Sequence, residues 1–368
     1  MKNEGRYFNR NTDRILYFLF LFIVFLTISP TLEAQQVVTG RITDAYDGQP
    51  LFGANIFVVN TTVGTASDES GNYRITIPGV GSYEIVVYYV GYEPFFYKID
   101  VPKPFHQIDV AMKIKELSEV VITAPLNYRR RDVNIFWRAL LGMNPSRRGL
   151  EVLNPEKVTF YLTGDNVLKV HCNEPIEIVN HEMGYSIQYV LQSFQHDYEK
   201  DQSQIYGTPF FEELIPQNTN QKNRWEKKRQ EVYSVSITHF IRALYRQKIH
   251  EEGFLLVKRD ESRRINTTFP LADILKTDNE QVIVTIDSSL HLGCFAMSVT
   301  EKLIENSYIS MSVSYTVLND NFPVVLLLPQ QFSIFSDGTF SGVLRIRNLR
   351  NQITGLSAML PVEYGNNE

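Results

Sequence analysis

Cysteine is scarce in this chain of 368 residues, which holds only Cys172 and Cys294. No cysteine follows the apolar run near the N-terminus, and this absence excludes the lipid attachment of a bacterial lipoprotein. The two cysteines could form a disulfide in an oxidising compartment and so join distant parts of the second half. The alternative is that they are two buried, small apolar side chains. The sequence alone leaves both alternatives open.

Several motifs that carry common chemistries are also missing. The chain has no G-x-S-x-G elbow of a serine hydrolase and neither of the glycine-rich loops that hold nucleotide phosphates. It has no EF-hand calcium loop, because the acidic run Asp68–Asn72 is too short and fits a hairpin turn instead. The sequence therefore predicts no catalytic residues and no cofactor.

An excess of charge of one sign is likewise absent, since the formal net charge is −5 at pH 7. Basic clusters occur at Arg129–Arg131, Arg147–Arg148 and Lys222–Arg229, but acidic residues interrupt or flank them. We interpret these clusters as solvated faces of the protein. A chain with this charge balance is not expected to bind nucleic acid.

The one long apolar run lies at the N-terminus. Residues 1–34 combine a basic start, the apolar run Ile15–Ile28 and the sequence Leu32–Ala34 at their end, a pattern typical of a secretory signal peptide. A helix over the apolar run is about 21 Å long, whereas a bilayer core is about 30 Å thick. We therefore predict export with cleavage near Ala34, to the periplasm, the outer membrane or the cell surface. An uncleaved anchor is the alternative.

Residues 37–112 carry a series of short strand signals. β-Branched and aromatic runs alternate with glycine, proline, asparagine and aspartate, and no helical period separates them. The predicted strands are Val37–Thr43, Ala54–Val59, Tyr73–Ile77, Tyr83–Tyr89 and Phe95–Val101. Gly71 and Asn72 supply a tight turn between two of them. The segment is therefore predicted to be a small β-sandwich that folds on its own.

The amino-acid sequences of the turns in this segment resemble those of a known family. G-R-I-T-D, G-Q-P-L-F-G-A-N-I, T-A-S-D-E-S-G-N-Y and Y-V-G-Y-E-P follow one another in fixed order. They resemble the carboxypeptidase-like regulatory domain, a transthyretin-like sandwich of seven strands that often precedes TonB-dependent receptors. The resemblance implies that residues 35–113 form an accessory module of an envelope protein, with no catalytic residues of its own.

The next segment, residues 114–131, is predicted to be a linker or an edge strand. Its run from Glu116 to Pro125 resembles the segment between the same domain and the plug of TonB-dependent receptors. A receptor barrel needs many strands of about ten residues each, and the residues that remain are too few to supply them. The chain is therefore not expected to be a complete receptor.

Residues 132–368 are predicted to be a β-rich α+β domain of unknown function, so the whole protein is expected to be mainly β. The spacing of apolar residues predicts helices at Asp132–Met143 and Ser236–Glu252, whereas the polar run Gln217–Gln230 reads as a loop leading into a helix. E-P-I-E-I-V-N-H-E-M-G-Y and M-L-P-V-E-Y resemble an uncharacterised region that accompanies the sandwich in other exported proteins. The predicted strands are Lys157–Leu162, Val167–Cys172, Ile176–Val179, Ser186–Phe194, Val282–Ile286, Cys294–Val299, Tyr308–Leu318, Val324–Leu328, Gln331–Ser336 and Val343–Ile346.

A zinc site is one alternative function. His171 and Glu174 form an H-x-x-E pattern, and His291 follows much later, as in the metal site of zinc carboxypeptidases. Side chains three residues apart point to opposite faces of a strand, however, so His171 and Glu174 share an ion only if a turn intervenes. The pattern predicts no peptidase activity unless the remaining parts of such a site come together.

Aromatic residues crowd the end of the sandwich and offer a second alternative. Tyr88, Tyr92 and Phe96 could stack on sugar rings and make the protein a glycan-binding accessory protein. Alternation along a strand would instead bury some of them in the core. The favoured hypothesis is a non-catalytic envelope protein whose sandwich binds a protein or glycan partner, by an edge strand or by a face.

Overall fold

The computed structural model describes residues 36–101, 107–115, 130–142, 149–259, 265–266, 271–278, 281–286, 292–296, 325–327, 330–342, 346–348 and 355–365. From Gln36 onwards the chain forms one compact unit. The signal peptide predicted at residues 1–34 and the strand predicted at Tyr308–Leu318 lie outside the described residues. Among the helices that are described, none has the length and apolar character needed to cross a membrane.

The N-terminal part is a sandwich of seven strands, as the sequence predicts. One sheet has the order β4-β1-β7, with β1 antiparallel to β4 and parallel to β7. The other has the order β3-β2-β5-β6. The strands are β1 Gln36–Asp44, β2 Asn55–Val58, β3 Gly64–Ala66, β4 Asn72–Ile77, β5 Gly81–Tyr88, β6 Phe95–Val101 and β7 Val110–Met112.

Side-chain alternation explains how this sandwich is held together. In β4, Tyr73, Ile75 and Ile77 are buried while the residues between them face outwards. Their apolar side chains pack between the two sheets with those of β1, β2 and β5. Gly71 turns the chain into β4 with a φ of +79°, which glycine adopts without strain. The predicted tight turn is present at this position, but it is not a hairpin, because it joins β3 and β4, which lie in different sheets.

A six-stranded sheet follows the sandwich. Its longest strand, β12, pairs with β11 along its first half and with β10 along its second half, while β13 covers its other edge. Helix α1 (Arg130–Leu141) packs Phe136 and Leu140 into the core of this sheet, as the apolar spacing predicts. The strands are β8 Leu150–Val152, β9 Val158–Leu162, β10 Val167–Cys172, β11 Ile176–Asn180, β12 Tyr185–Asp197 and β13 Gln202–Glu213.

Two helices come next, and the first contradicts the sequence prediction. The run Gln217–Gln230 is not a loop, because helix α2 spans Thr219–Tyr233 and begins at the N-cap Asn218. Helix α3 spans Ile237–Tyr245 and is therefore shorter than the predicted helix Ser236–Glu252. The helix ends early because Gln247, two residues beyond it, has a φ of +57°, which lies outside the helical region.

The remaining strands form two further sheets. One has the order β15-β14-β18-β19-β22, and the other has the order β16-β17-β20-β21. Helix α3 packs its apolar side against the second of these sheets. The whole fold is mainly β, as predicted. The strands are β14 Phe254–Arg259, β15 Ile265–Asn266, β16 Leu275–Asp278, β17 Gln281–Ile286, β18 Leu292–Ala296, β19 Val325–Leu327, β20 Gln330–Ile334, β21 Phe340–Gly342 and β22 Ile346–Asn348.

Candidate functional site

The two described residues of the zinc alternative do not act together. The ring Nε2 of His171 lies 2.7 Å from Oδ1 of Asn173, and Glu174 forms an ion pair of 2.9 Å with Lys157. His291 lies outside the described residues. Within the described ranges, no three histidine, cysteine or acidic side chains converge on a point that could hold a metal ion. The structure therefore gives His171 and Glu174 separate surface partners and not a shared ion.

Cys172 forms no disulfide among the described residues, and its pairing with Cys294 stays a prediction. Cys172 is a free and buried cysteine at the end of β10, where it packs in the core of the six-stranded sheet. Burial raises the pKa of its thiol above the usual value. Cys294 lies in β18, which belongs to a different sheet. The alternative of a buried, small apolar side chain therefore describes Cys172.

Of the three aromatic residues predicted to bind a glycan, Tyr88 is buried, and Phe96 is half-buried against the same cluster. Tyr88 is 6% exposed, and it packs with Phe96, Phe57 and Phe210 at the contact between the sandwich and the six-stranded sheet. The rings of Phe57 and Phe210 lie 5.2 Å apart. Burial raises the pKa of Tyr88 to about 12. Tyr88 offers no face to a sugar because the second half of the chain already occupies it. The sequence alone could not show that the six-stranded sheet covers this face of the sandwich.

Tyr92, the third aromatic residue, has a different environment. Its hydroxyl donates to the Oδ2 of Asp44 over 2.6 Å, and its ring lies 5.4 Å from that of Tyr89. This hydrogen bond raises the pKa of Tyr92 to about 12 and lowers the pKa of Asp44. Tyr92 is half-buried, and it braces the loops at one end of the sandwich.

Large apolar side chains are exposed at that same end. Tyr46 is 95% exposed, Val90 is 68% exposed and Ile114 is 59% exposed. Ile114 bridges Tyr92, and Tyr46 follows Asp44, which accepts the hydrogen bond from Tyr92. We call this surface the sandwich tip and define it by Tyr46, Val90, Tyr92 and Ile114. Apolar residues inside glycine-rich turns are the signal by which the sequence could have revealed it.

A buried carboxylate joins the sandwich to the last described sheet. Asp337 accepts hydrogen bonds from the hydroxyl of Tyr83 over 2.6 Å and from the amide and hydroxyl of Thr339 over 2.9 and 2.8 Å. Burial raises the pKa of Asp337 and, together with the nearby carboxylate, the pKa of Tyr83. In the sandwich, the amide of Ser82 donates to the hydroxyl of Thr339 over 2.8 Å. These contacts attach the sandwich to the sheet that contains β20 and β21.

A buried arginine ties the C-terminal residues into the same junction. Arg242 in α3 donates to the carbonyls of Asp337, Val362 and Tyr364 over 2.9, 2.6 and 2.7 Å. The amide of Val362 in turn donates to the carbonyl of Asn60 in the sandwich over 2.7 Å. A buried guanidinium needs several acceptors, and here backbone carbonyls supply them.

The N-H-E-M-G-Y motif has a structural role that the sequence did not reveal. It forms the turn between β11 and β12, onto which α2 docks through Trp225 and Arg229. The indole of Trp225 donates to the carbonyl of His181 over 2.8 Å, and Arg229 donates to the carbonyl of Met183 over 2.7 Å. Gly184 has a φ of +69°, and an added Cβ would lie 2.3 Å from the Trp225 ring. The turn and the helix therefore fit only with glycine at this position.

Comparison with known proteins agrees with the N-terminal fold. Residues 38–122 match the family model of the CarboxypepD_reg-like domain. The chain is similar to a TonB-dependent receptor of Formosa agariphila, with 30% identity over 128 residues, which are 34% of this chain and 12% of that receptor. It is similar to the TonB-dependent receptor SusC of Bacteroides thetaiotaomicron, with 36% identity over 76 residues, which are 21% of this chain and 7% of that one.

The chain thus spans only about a tenth of the length of these curated relatives. Among solved structures it has a distant likeness to the TIE protein of Bacillus anthracis, with a TM-score of 0.19 and 10% identity, covering 50% of this chain and 29% of that one. The family match and the seven-stranded topology agree on one region of the chain. The N-terminal sandwich is therefore a CarboxypepD_reg-like domain.

Proposed function

We propose that this protein is a non-catalytic component of the bacterial cell envelope, and that its sandwich binds a protein partner through the sandwich tip. The exposed tip residues are the observation that carries this proposal. Single exposed apolar side chains are common on protein surfaces, whereas a cluster of large ones marks an interaction site. The relatives are named TonB-dependent receptors, which supports an envelope location for this chain as well.

The covered faces of the sandwich favour the tip over the other surfaces. One face is already packed against the six-stranded sheet through Phe57 and Tyr88. Among the described strands β6 pairs with β5 alone, so its outer edge offers a second route by strand addition. Tyr97, which is exposed on β6, adds to that edge. The tip has the larger apolar exposure and is therefore the first surface to test.

Partner capture from the envelope fraction tests the tip directly. The double variant Tyr46→Ser/Val90→Ser removes two exposed apolar side chains, and Tyr206→Ser/Ile215→Ser removes a matched pair of exposed residues elsewhere. A protein that cross-links to the wild-type chain and to the control pair, but not to the tip variant, supports the proposal. Equal capture by all three chains contradicts it.

A glycan partner is the alternative outcome of the same comparison. Tyr46 and Tyr92 offer aromatic rings at the tip, although Tyr92 is half-buried. Suppose that the wild-type chain binds to a glycan array, that the tip variant does not, and that no protein is captured. The partner would then be a carbohydrate and not a protein.

The export part of the proposal rests on the signal peptide predicted at residues 1–34. Intact-mass measurement of the envelope form should show a chain that begins near Gln35.

A further inference from the structure

Helix α1 carries a row of cationic side chains on the face that is turned away from the core. Arg130, Asn134 and Arg138 are spaced four residues apart, so their side chains lie one above the other, with Arg131 beside them. All four are exposed. Together with the hairpin between β12 and β13 they form an open groove of about 510 Å³, lined by Arg130, Arg131, Asn134, Ile135, Arg138 and Asp201.

The carboxylates near this groove do not neutralise its arginines. Asp132 is buried and accepts a hydrogen bond of 2.5 Å from the hydroxyl of Tyr198, and the guanidinium of Arg131 lies 5.5 Å from the ring of that tyrosine. Within the ranges that the structure describes, Arg130 and Arg138 have no ion pair and no hydrogen bond from their side chains. Among the described residues, therefore, the two guanidinium groups that line the groove have no acceptor.

A buried histidine stands next to the acidic rim of the groove. The Nε2 of His196 lies 3.9 Å from the Oδ1 of Asp201 and has no hydrogen-bond partner among the described residues. The other ring nitrogen lies 2.9 Å from the hydroxyl of Ser203. Asp201 lines the groove as its acidic side chain, and within the described residues it forms no ion pair with the arginines.

This arrangement is unfavourable when the groove is empty. Arg130 and Arg131 are adjacent cations in the first turn of the helix, where positive charges repel each other and oppose the helix dipole. The protein as a whole is acidic, so the positive cluster is not part of a generally basic surface. An anion would relieve the repulsion, because guanidinium groups bind phosphate and carboxylate oxygens with paired hydrogen bonds.

We propose that the groove on α1 binds a ligand that carries phosphate or carboxylate groups, either a free small molecule or the headgroup of an anionic lipid. Its volume lies in the range of small-molecule sites. Ile135 gives the cationic wall one apolar contact for the body of the ligand. This site differs from the sandwich tip and does not depend on a protein partner there.

Calorimetric titration of the full chain with inorganic pyrophosphate tests the free-ligand form, and co-sedimentation with phosphatidylglycerol vesicles tests the lipid form. The variant Arg130→Ala/Arg138→Ala removes two exposed helical charges from the groove. Arg224→Ala/Lys227→Ala removes two exposed helical charges from α2 and is the matched control. Neither pair is buried, so both variants should fold.

Saturable binding of either probe that weakens about tenfold or more in the groove variant, and remains in the control, supports the site. The probe that binds identifies the source of the anion. Absence of saturable binding to the wild-type chain by both probes overturns the proposal, as does an equal loss in the two variants. The latter result would show a general effect of charge and not a site.

Discussion

Gly184 and Gly48 adopt almost the same backbone conformation, with φ values of +69° and +72°, in very different surroundings. A Cβ at Gly184 would meet the Trp225 ring, whereas at Gly48 no atom lies within 4 Å of it. Gly184→Ala should therefore lower the free energy of unfolding by about 2–4 kcal/mol, from backbone strain and overpacking together. Gly48→Ala should cost about 1–2 kcal/mol, from strain alone. Urea denaturation of both variants measures the difference, and equal losses would contradict the role given to Trp225.

The buried ring of His196 makes stability depend on pH. Burial lowers its pKa below the usual histidine value of about 6.5, so below that pH the unfolded chain binds a proton that the folded chain does not. The free energy of unfolding should therefore fall as the pH decreases below about 6.5, by up to about 1.4 kcal/mol per pH unit from this residue.

Urea denaturation at pH 7.5, 6.5 and 5.5 checks this dependence on His196. The variant His196→Asn should show a smaller loss of stability towards acid than the wild-type chain. His181→Asn, which removes a solvent-exposed histidine, serves as the control. If His196→Asn keeps the full wild-type slope, another group is responsible for the acid sensitivity.

At the scale of elements, α2 depends on Arg229 for its position. This side chain donates to the carbonyls of Met183 and Gly184, and its guanidinium lies 4.0 Å from the centre of the Tyr185 ring. Arg229→Ala leaves buried carbonyls without a donor and should lower the free energy of unfolding by about 2–4 kcal/mol.

The adjacent residue provides the control for that variant. Lys228 forms only a surface ion pair with Glu231, at 3.3 Å, so Lys228→Ala should change stability by no more than about 0.5 kcal/mol. Both values come from urea unfolding followed by circular dichroism. A similar small effect in the two variants would show that α2 is held by its other contacts.

Helix α2, which the sequence prediction missed, shows where predictions from apolar spacing fail. Helix α2 buries only Trp225, Arg229 and Tyr233, which lie four residues apart and include a charged side chain. An amphipathic helix is recognised by three to four apolar residues in every two turns, and α2 has fewer. The polar run was therefore predicted to be a loop. Helix α1 follows the helical spacing of apolar residues and was predicted, as were the strands with a clear alternation or apolar run, whereas β3, β7, β8, β13 to β16 and β21 were not predicted.

At the scale of the whole molecule, the last described residues hold the junction together. A chain that ends at Leu360 lacks the carbonyls of Val362 and Tyr364, which Arg242 requires. Arg242 then keeps the carbonyl of Asp337 and the hydroxyl of Tyr233, and the loss of the other two hydrogen bonds to its buried charge should cost about 3–5 kcal/mol. A chain that ends at Gly365 keeps these groups and should unfold like the wild type. Urea denaturation of the two chains tests the point, and equal stability would mean that Arg242 finds other partners.

The sequence predicted the architecture of the N-terminal half better than any site. Turn residues and alternation are local signals, so five of the seven strands could be placed from them, whereas the short strands β3 and β7 could not. The burial of Tyr88 and the exposure of Tyr46 depend on which distant segments meet, and no local pattern records that. The division at residues 114–131 and the independent folding of the sandwich remain predictions.

The contact between Thr62 and Glu363 has a consequence for the order in which the chain folds. These residues are 301 positions apart, and their hydrogen bonds form only after almost the whole chain has been made. The strands of the sandwich pair over far shorter separations and should form first, since close contacts cost less loop entropy. The apolar face around Phe57 then stays exposed until the segment that contains Phe210 has been made and packs on it. A growing chain therefore passes through a stage in which this face can bind other hydrophobic surfaces.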